Sequence, residues 1–467
     1  MKVNENLKKG IVLIFAANAI NLMIGLVNGF VLPKYLSVET YADIKTYQLY
    51  VNYIAILAFG YSDGLYLVYG GKRMSDIGSK GINICRTNLI LFQALITFIV
   101  VAFACFTRNT VLLITAASVI PVNIVATYKN IFQATGEFKT YSRILNYTSI
   151  LTFLGSMFLL FVVKTDRSDI YIFWNVVVSI LIWILMERKL IVEYGCKLQF
   201  MSDLKDLVVN IKSGFILMLG NFSSILMTSI DRWFVKVLLT IQDFAYYSFV
   251  VSVENLIAIF ITPVVTTMYN YICGTSEMES IKKIKRMCLL FSLFLIAGAY
   301  PVKWVLEVYL TKYLEAQYVL FILFTTEIFY MLIKGIYVNI YKARKLQKKY
   351  LNQMIAVTVV GTVLNVVAYL ISQTNEAIAL ATLVSVIVWY IICCTSVKEI
   401  RPDWRENTML LVAIPVFIWT GCRISAVIGF FVYIGTVLPL SVVLMREDMT
   451  SIFSFITDII KGRIERK

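Results

Sequence analysis

Long apolar runs alternate with short polar breaks from one end of the chain to the other. At about 20 residues per crossing, the pattern predicts an all-α polytopic membrane protein. Fourteen spans are expected near 11–32, 46–70, 87–106, 111–134, 143–163, 169–187, 212–236, 243–272, 287–308, 314–341, 351–372, 376–397, 407–422 and 425–445. The thirteenth is short and contains Pro415, which leaves a re-entrant hairpin arm as an alternative. A membrane β-barrel would show short segments of strict alternation instead. Pro121, Pro263 and Pro301 fall inside spans, where they predict kinks.

Charge adds an orientation. Every second connection is rich in basic residues, as at Lys8 and Lys9, Arg73 and Lys80, Lys139 and Arg143, Arg188 and Lys189, Lys282 to Arg286, and Lys342 to Lys349. The connections between them hold few, such as Lys34, Arg108, Lys164 and Lys312. Basic loops are retained in the cytoplasm during insertion, so both termini are expected there. The net charge of +15 is then mostly this bias, with some attraction to the bilayer's anionic headgroups, and no nucleic-acid partner is expected. Charged residues make up 15% of the 467, against about 25% in a soluble chain, which leaves too little polar surface for a water-soluble fold. Lys8, Lys9 and the following run mimic a signal peptide, but the apolar stretch continues well past a cleavage region. The eight cysteines show no paired spacing beyond the adjacent Cys393 and Cys394, so no disulfide framework is expected.

The first span is interrupted by three asparagines, in NAINLMIGLVN at 18–28. Asn18, Asn21, Gly25 and Asn28 share an arc of roughly 80° at helical periodicity. A stripe of amides avoids lipid, so it faces either a neighbouring helix or water. Sliding the sequence along itself by 203 positions lays LSVETYA at 36–42 over LTIQDFA at 239–245. In the same register Asn18 meets Asn221, Asn21 meets Ser224, Gly25 meets Thr228 and Asn28 meets Asp231. Six crossings separate the copies, which predicts two parallel six-helix bundles related by a pseudo-two-fold axis along the membrane normal. A stripe repeated on the first helix of each bundle favours two walls of one shared cavity over simple helix glue. The expected organisation is 1–190 for the first half, 191–211 for a cytoplasmic linker and 212–397 for the second half. Two additional helices follow at 398–445, then a tail at 446–467 whose Ile452, Phe453, Ile456, Ile459 and Ile460 share one face, as in a helix lying on the membrane surface.

Two six-helix halves, the DRWFV stretch at 231–235 and the DFAYYSFV stretch at 243–250 resemble the polysaccharide-exporter branch of the MOP superfamily. That branch contains the Wzx-type flippases, and its relatives include the MurJ lipid II flippases and the MATE drug antiporters. The resemblance implies movement of an undecaprenyl-diphosphate-linked oligosaccharide, a polysaccharide, capsule or O-antigen repeat unit, from the inner to the outer leaflet of the bacterial cytoplasmic membrane by alternating access. It also implies a polysaccharide polymerase as a candidate partner. Fourteen spans resemble MurJ more than the twelve of MATE proteins. A lipid II flippase and a MATE-like cation-coupled multidrug antiporter are the alternatives.

Ionisable residues inside a bilayer cost about 3 kcal/mol each at its centre, so each requires a reason. Arg232 and Lys334 suit the anionic headgroup of a lipid-linked sugar, and Asn18, Asn28, Asn221 and Asp231 suit its polar portion. Glu254 or Glu327 suits coupling to H+ or Na+, because desolvation brings a carboxyl's protonation within physiological reach. The plainer reading pairs Asp231, Arg232, Glu254, Glu327 and Lys334 with one another as structural ions. Lys303 is expected to snorkel to the interface, and Asp63, within GYSDG, to mark a tight helix contact. The chain has no histidine, no metal-ligand cluster and no phosphate loop, so neither a cofactor nor an enzyme activity is expected.

Overall fold

A computed structural model describes residues 23–274 and 277–451. Asn18, Asn21 and the amphipathic face of the tail lie outside the described residues. The chain divides into two compact units, Met1–Ile225 and Leu226–Lys467. The first holds α1 (23–35), α2 (Val38–Ile54), α3 (Tyr61–Tyr69), α4 (Met74–Thr107), α5 (Thr110–Ala134), α6 (Phe138–Phe158) and α7 (Ser168–Tyr194). Helix α8 (Leu204–Leu238) begins in the first unit and ends in the second. The second continues with α9 (Ile241–Gly274), α10 (Met278–Ile296), α11 (Ala299–Val308), α12 (Ala316–Leu332), α13 (Val338–Ala343), α14 (Gln347–Ile371), α15 (Asn375–Ser396), α16 (Trp404–Arg423) and α17 (Ala426–Leu444).

Among the described residues, ten helices are long and apolar enough to cross a membrane, and the bent pair α2–α3 makes an eleventh. The chain is therefore a multi-pass helical membrane protein. Expected span 13 is a single helix, α16, with Pro415 inside it. Expected span 2 is not one straight helix. It stops at Ile54, passes through a tight turn at Ala55–Ala58, takes positive φ at Phe59 and Gly60, and resumes as α3 at 63°. Apolar periodicity runs across this break and hides it. The carbonyl of Leu57, freed by the break, accepts from Gln93 Nε2 at 3.0 Å, and Gln93 Oε1 accepts from Asn123 Nδ2 at 2.7 Å. Inside a membrane such a carbonyl needs a protein donor, and the α4–α5 amides supply it.

The 203-residue register reappears in the backbone. Helix α1 ends at 35 and α8 at Leu238; α2 begins at Val38 and α9 at Ile241. Both LSVETYA and LTIQDFA are thus helix caps. Ser37 Oγ accepts from Thr40 N at 3.2 Å, while Thr240 and Asp243 cap each other through bonds of 2.6–3.1 Å. Each cap is also tied to the start of the sixth span of its own unit. In the first, Ser37 N donates to Asp166 Oδ1 and Thr40 Oγ1 to the Asp166 carbonyl, at 2.9 and 2.7 Å. In the second, Asn375 Nδ2 donates to Asp243 Oδ1 at 3.0 Å.

Helix α5 is the hub of the first unit, packed against α2, α3, α4, α6 and α7 around Ile124, Tyr128, Ile131 and Phe132. The linker expected at 191–211 starts within α7 and ends within α8, and between them it is stitched to α4. Lys197 N donates to Ser79, Met201 N to Thr87, and Asp203 N to Asn88, at 3.0–3.2 Å. Gly64 lies so close to α8 that an added methyl would overlap the Asn210 carbonyl, and Gly214 is closed in by Gly60 and Gly64 in return. The tight contact expected at GYSDG is therefore α3 against α8.

In the second unit α12 is the hub, buried at every position from Val319 to Leu332 and packed on α9, α10, α15 and α16. Helices α16 and α17 are stapled to the broken ninth span at both ends. Near one end, Lys285 reaches Glu406 at 2.7 Å and the Ile400 carbonyl at 2.8 Å, and Arg286 reaches Asp448 at 2.8 Å. At the other, Lys303 donates to the Gly421 and Ile424 carbonyls at 2.6 and 2.5 Å, and Glu307 accepts from Ala426 N at 3.1 Å. Lys303 does not snorkel. It is 3% exposed and serves the open carbonyls at the C-terminal end of α16, where a cation is electrostatically favoured.

Candidate functional site

Asp231, Arg232, Glu254, Glu327 and Lys334 all belong to the second unit. Asp231 is buried on α8. Its Oδ2 accepts from Tyr247 on α9 at 2.7 Å and from Thr382 on α15 at 3.5 Å, and its Oδ1 accepts from the Arg232 amide at 2.8 Å. Arg232 is buried beside it. Two turns further along α9, Glu254 accepts from Thr326 of α12 at 3.3 Å and faces Glu327, the next residue on α12.

Glu327 and Lys334 are seven residues apart, a spacing that puts them on one face of a regular helix. The backbone from Ile333 to Tyr337 instead widens into a π-turn, which inserts an extra residue between the two turns. Lys334 Nζ lies 4.3 Å from the centre of the Tyr330 ring. Among the described residues, neither Glu254, Glu327 nor Lys334 makes an ion pair within 4 Å, and Lys334 still acts on Glu327 through its charge at longer range.

Next to Asp231, a gap of about 10 Å³ opens between α8, α12, α14 and α15, room for one water-sized species. Asp231, Thr358, Asn365, Thr382 and Ser385 supply its polar lining, all of it oxygen-bearing. Asn365 is 1% exposed; its amide nitrogen donates to the Gly361 carbonyl at 2.8 Å, and its Oδ1 has no hydrogen-bond partner among the described residues. A buried acceptor without a donor is costly, and together with a carboxylate and hydroxyls it makes a donor set that suits a small hard cation or a protonated water.

The backbone matches a solved structure at TM-score 0.71. The chain has the fold of MurJ. It superposes on the lipid II flippase MurJ, in its inward closed conformation, with 16% identity over 93% of this chain and 99% of that one. An inward-facing multidrug resistance MATE family transporter of the MOP superfamily matches at TM-score 0.59, with 12% identity over 82% of this chain and 95% of the other. The outward-facing form of such a transporter matches at 0.50, again with 12% identity, over 83% and 94%. By sequence, neither a family profile nor a curated protein matches.

The amides of the repeated stripe fall elsewhere. Asn28 is half-buried on α1, with its Oδ1 shielded and without a hydrogen-bond partner among the described residues. Asn221 is exposed on the first half of α8, and its Nδ2 donates to Asp63 Oδ1 at 3.0 Å. Sequence reasoning missed the lining of the gap. Thr358, Gly361 and Asn365 recur at the spacing of one helical face in TVVGTVLN, and Thr382 and Ser385 are three residues apart. The signal is the same kind of polar stripe as in NAINLMIGLVN, here on spans 11 and 12.

Proposed function

We propose that the protein is a transporter that flips an undecaprenyl-diphosphate-linked oligosaccharide from the inner to the outer leaflet of the bacterial cytoplasmic membrane, with both termini in the cytoplasm. The observation that carries this reading is the MurJ likeness over 93% of the chain at TM-score 0.71, against 82% at 0.59 for a MATE family transporter. Sequence adds the charge bias of the loops and the doubled polar stripe. On this reading Arg232 and Lys334 attract the diphosphate, and Asn18, Asn28 and Asn221 meet sugar hydroxyls.

Asp231 takes a different role from the one its place in the stripe suggests. Held by Tyr247 and Thr382 at the oxygen-lined gap, it suits a coupling proton or Na+ better than a sugar. Glu254 and Glu327 form an acidic pair in the same bundle, and two facing carboxyls attract a shared cation. Alternating access then follows if occupancy of these acids by the ion favours one conformation by a few kcal/mol.

The test is reconstitution into proteoliposomes with a fluorescent lipid-linked oligosaccharide, read as loss of signal to a membrane-impermeant quencher. The wild type is expected to flip it, with acceleration by a proton or Na+ gradient. Arg232→Ala and Lys334→Ala are expected to flip at least tenfold more slowly at equal expression, and unchanged flipping in both would refute the headgroup assignment. A MATE-like cation-coupled drug antiporter is the second reading, favoured by the acid-rich interior of the second unit together with the 0.59 match. Gradient-driven ethidium efflux without flipping would establish it in place of the first.

A further inference from the structure

An open groove of about 260 Å³ runs between α6 and α7 in the first unit, at the end of the helix pair where basic residues gather. Its floor is apolar, made by Ile144, Ile182 and Leu185, with Tyr147 half exposed beside them. Arg143 from one helix and Arg188 from the other stand exposed at its rim. The rim also carries Lys189 and Glu193, which form an ion pair with each other and so cancel. Neither Arg143 nor Arg188 forms an ion pair or hydrogen bond with any described residue. Arg188 follows Glu187 in sequence but points the opposite way, since Glu187 turns inward to Arg86, Tyr128 and Trp183.

Two guanidiniums lining one groove, neither paired with a described carboxylate, above an apolar floor that continues along membrane-spanning helices, call for an occupant with one anionic end and one fatty end. We propose that this groove binds an anionic phospholipid, with its phosphodiester between Arg143 and Arg188 and an acyl chain laid along Ile144, Tyr147, Ile182 and Leu185. Guanidinium offers forked hydrogen bonds to phosphate oxygens, and a tyrosine at the headgroup level is a common interfacial anchor. An acidic peptide matches the rim but leaves the floor unsatisfied. The chain's own C-terminal segment, KGRIERK, matches neither, because its positive charges repel the rim. The site rests on membrane embedding alone and is independent of the transported cargo.

The experiment is native mass spectrometry of the full chain in a neutral detergent, with phosphatidylglycerol, phosphatidylcholine or inorganic phosphate added. Wild type is expected to retain one phosphatidylglycerol at least tenfold more tightly than phosphatidylcholine, and inorganic phosphate at millimolar concentration should leave it in place. The double change Arg143→Gln and Arg188→Gln should weaken that adduct about tenfold or more. Leu185→Trp keeps both charges but fills the floor, and it should weaken the adduct as well, which keeps the test informative if the double variant folds poorly. Equal retention of the zwitterionic lipid, displacement by inorganic phosphate, or full retention by either folded variant would overturn the proposal.

Discussion

Lys285 is the most stringent place to test the physical account of this fold. It sits at the start of the ninth span with 1% of its side chain exposed, bonded to Glu406 at 2.7 Å and to the Ile400 carbonyl at 2.8 Å. Changing Lys285→Met keeps the volume and removes the charge. The Ile400 carbonyl keeps a donor, Tyr337 Oη at 3.1 Å, so its loss contributes little. The carboxylate of Glu406, 4% exposed, is left without its cation, and stranding a buried charge in this way costs about 3–5 kcal/mol. Removing both charges, as Lys285→Met with Glu406→Leu, removes the stranded ion too, and such replacements range from neutral to stabilising by about 1–4 kcal/mol. The cycle therefore predicts a coupling of at least about 3 kcal/mol between the two positions. SDS-titrated unfolding of the purified protein reads it, with the buried thiol of Cys288, one turn along α10, as a probe of local opening. If the double variant is as unstable as Lys285→Met alone, the penalty comes from packing, and the ion-pair reasoning is wrong.

Three further outcomes follow from the same geometry. Gly64→Ala should destabilise by about 1–3 kcal/mol in the same titration, because the added methyl forces α3 away from the Asn210 carbonyl on α8. Glu187→Leu should cost about 3–5 kcal/mol, since it strands the buried Arg86 now held at 2.9 Å, whereas Glu193→Ala, at an exposed i,i+4 pair, should cost less than about 0.5 kcal/mol. Tyr247→Phe removes the 2.7 Å donor to Asp231; a hydrogen bond to a charged group contributes about 1.5–3 kcal/mol and favours the unprotonated carboxylate, so the proton concentration for half-maximal transport should fall tenfold or more with little change in cargo affinity. An unchanged ion requirement in that variant would remove Asp231 from the coupling site.

The helices were legible because each follows from its own residues: an apolar run of sufficient length forms a span whatever it packs against. The 203-residue register was legible for the same reason, since a cap is a local device and the Thr240–Asp243 cap recurs in register at Ser37–Thr40. What escaped were relations between helices. In sequence Lys303 looks like a residue that snorkels to the interface, yet its partners are carbonyls 118 and 121 residues away. Lys285 and Arg86 were invisible among the basic residues at span ends, because an exposed anchor and a buried staple share the same sequence signature until Glu406 and Glu187 are placed beside them. Between Glu327 and Lys334 a π-turn adds one residue to the helical count, and no composition rule announces it. A charge at the end of a membrane helix is therefore ambiguous in sequence by its nature. Its meaning depends on whether the neighbouring helix end offers a carboxylate, a row of open carbonyls, or only water and headgroups, and those three cases differ by several kcal/mol while reading identically along one strand of chain.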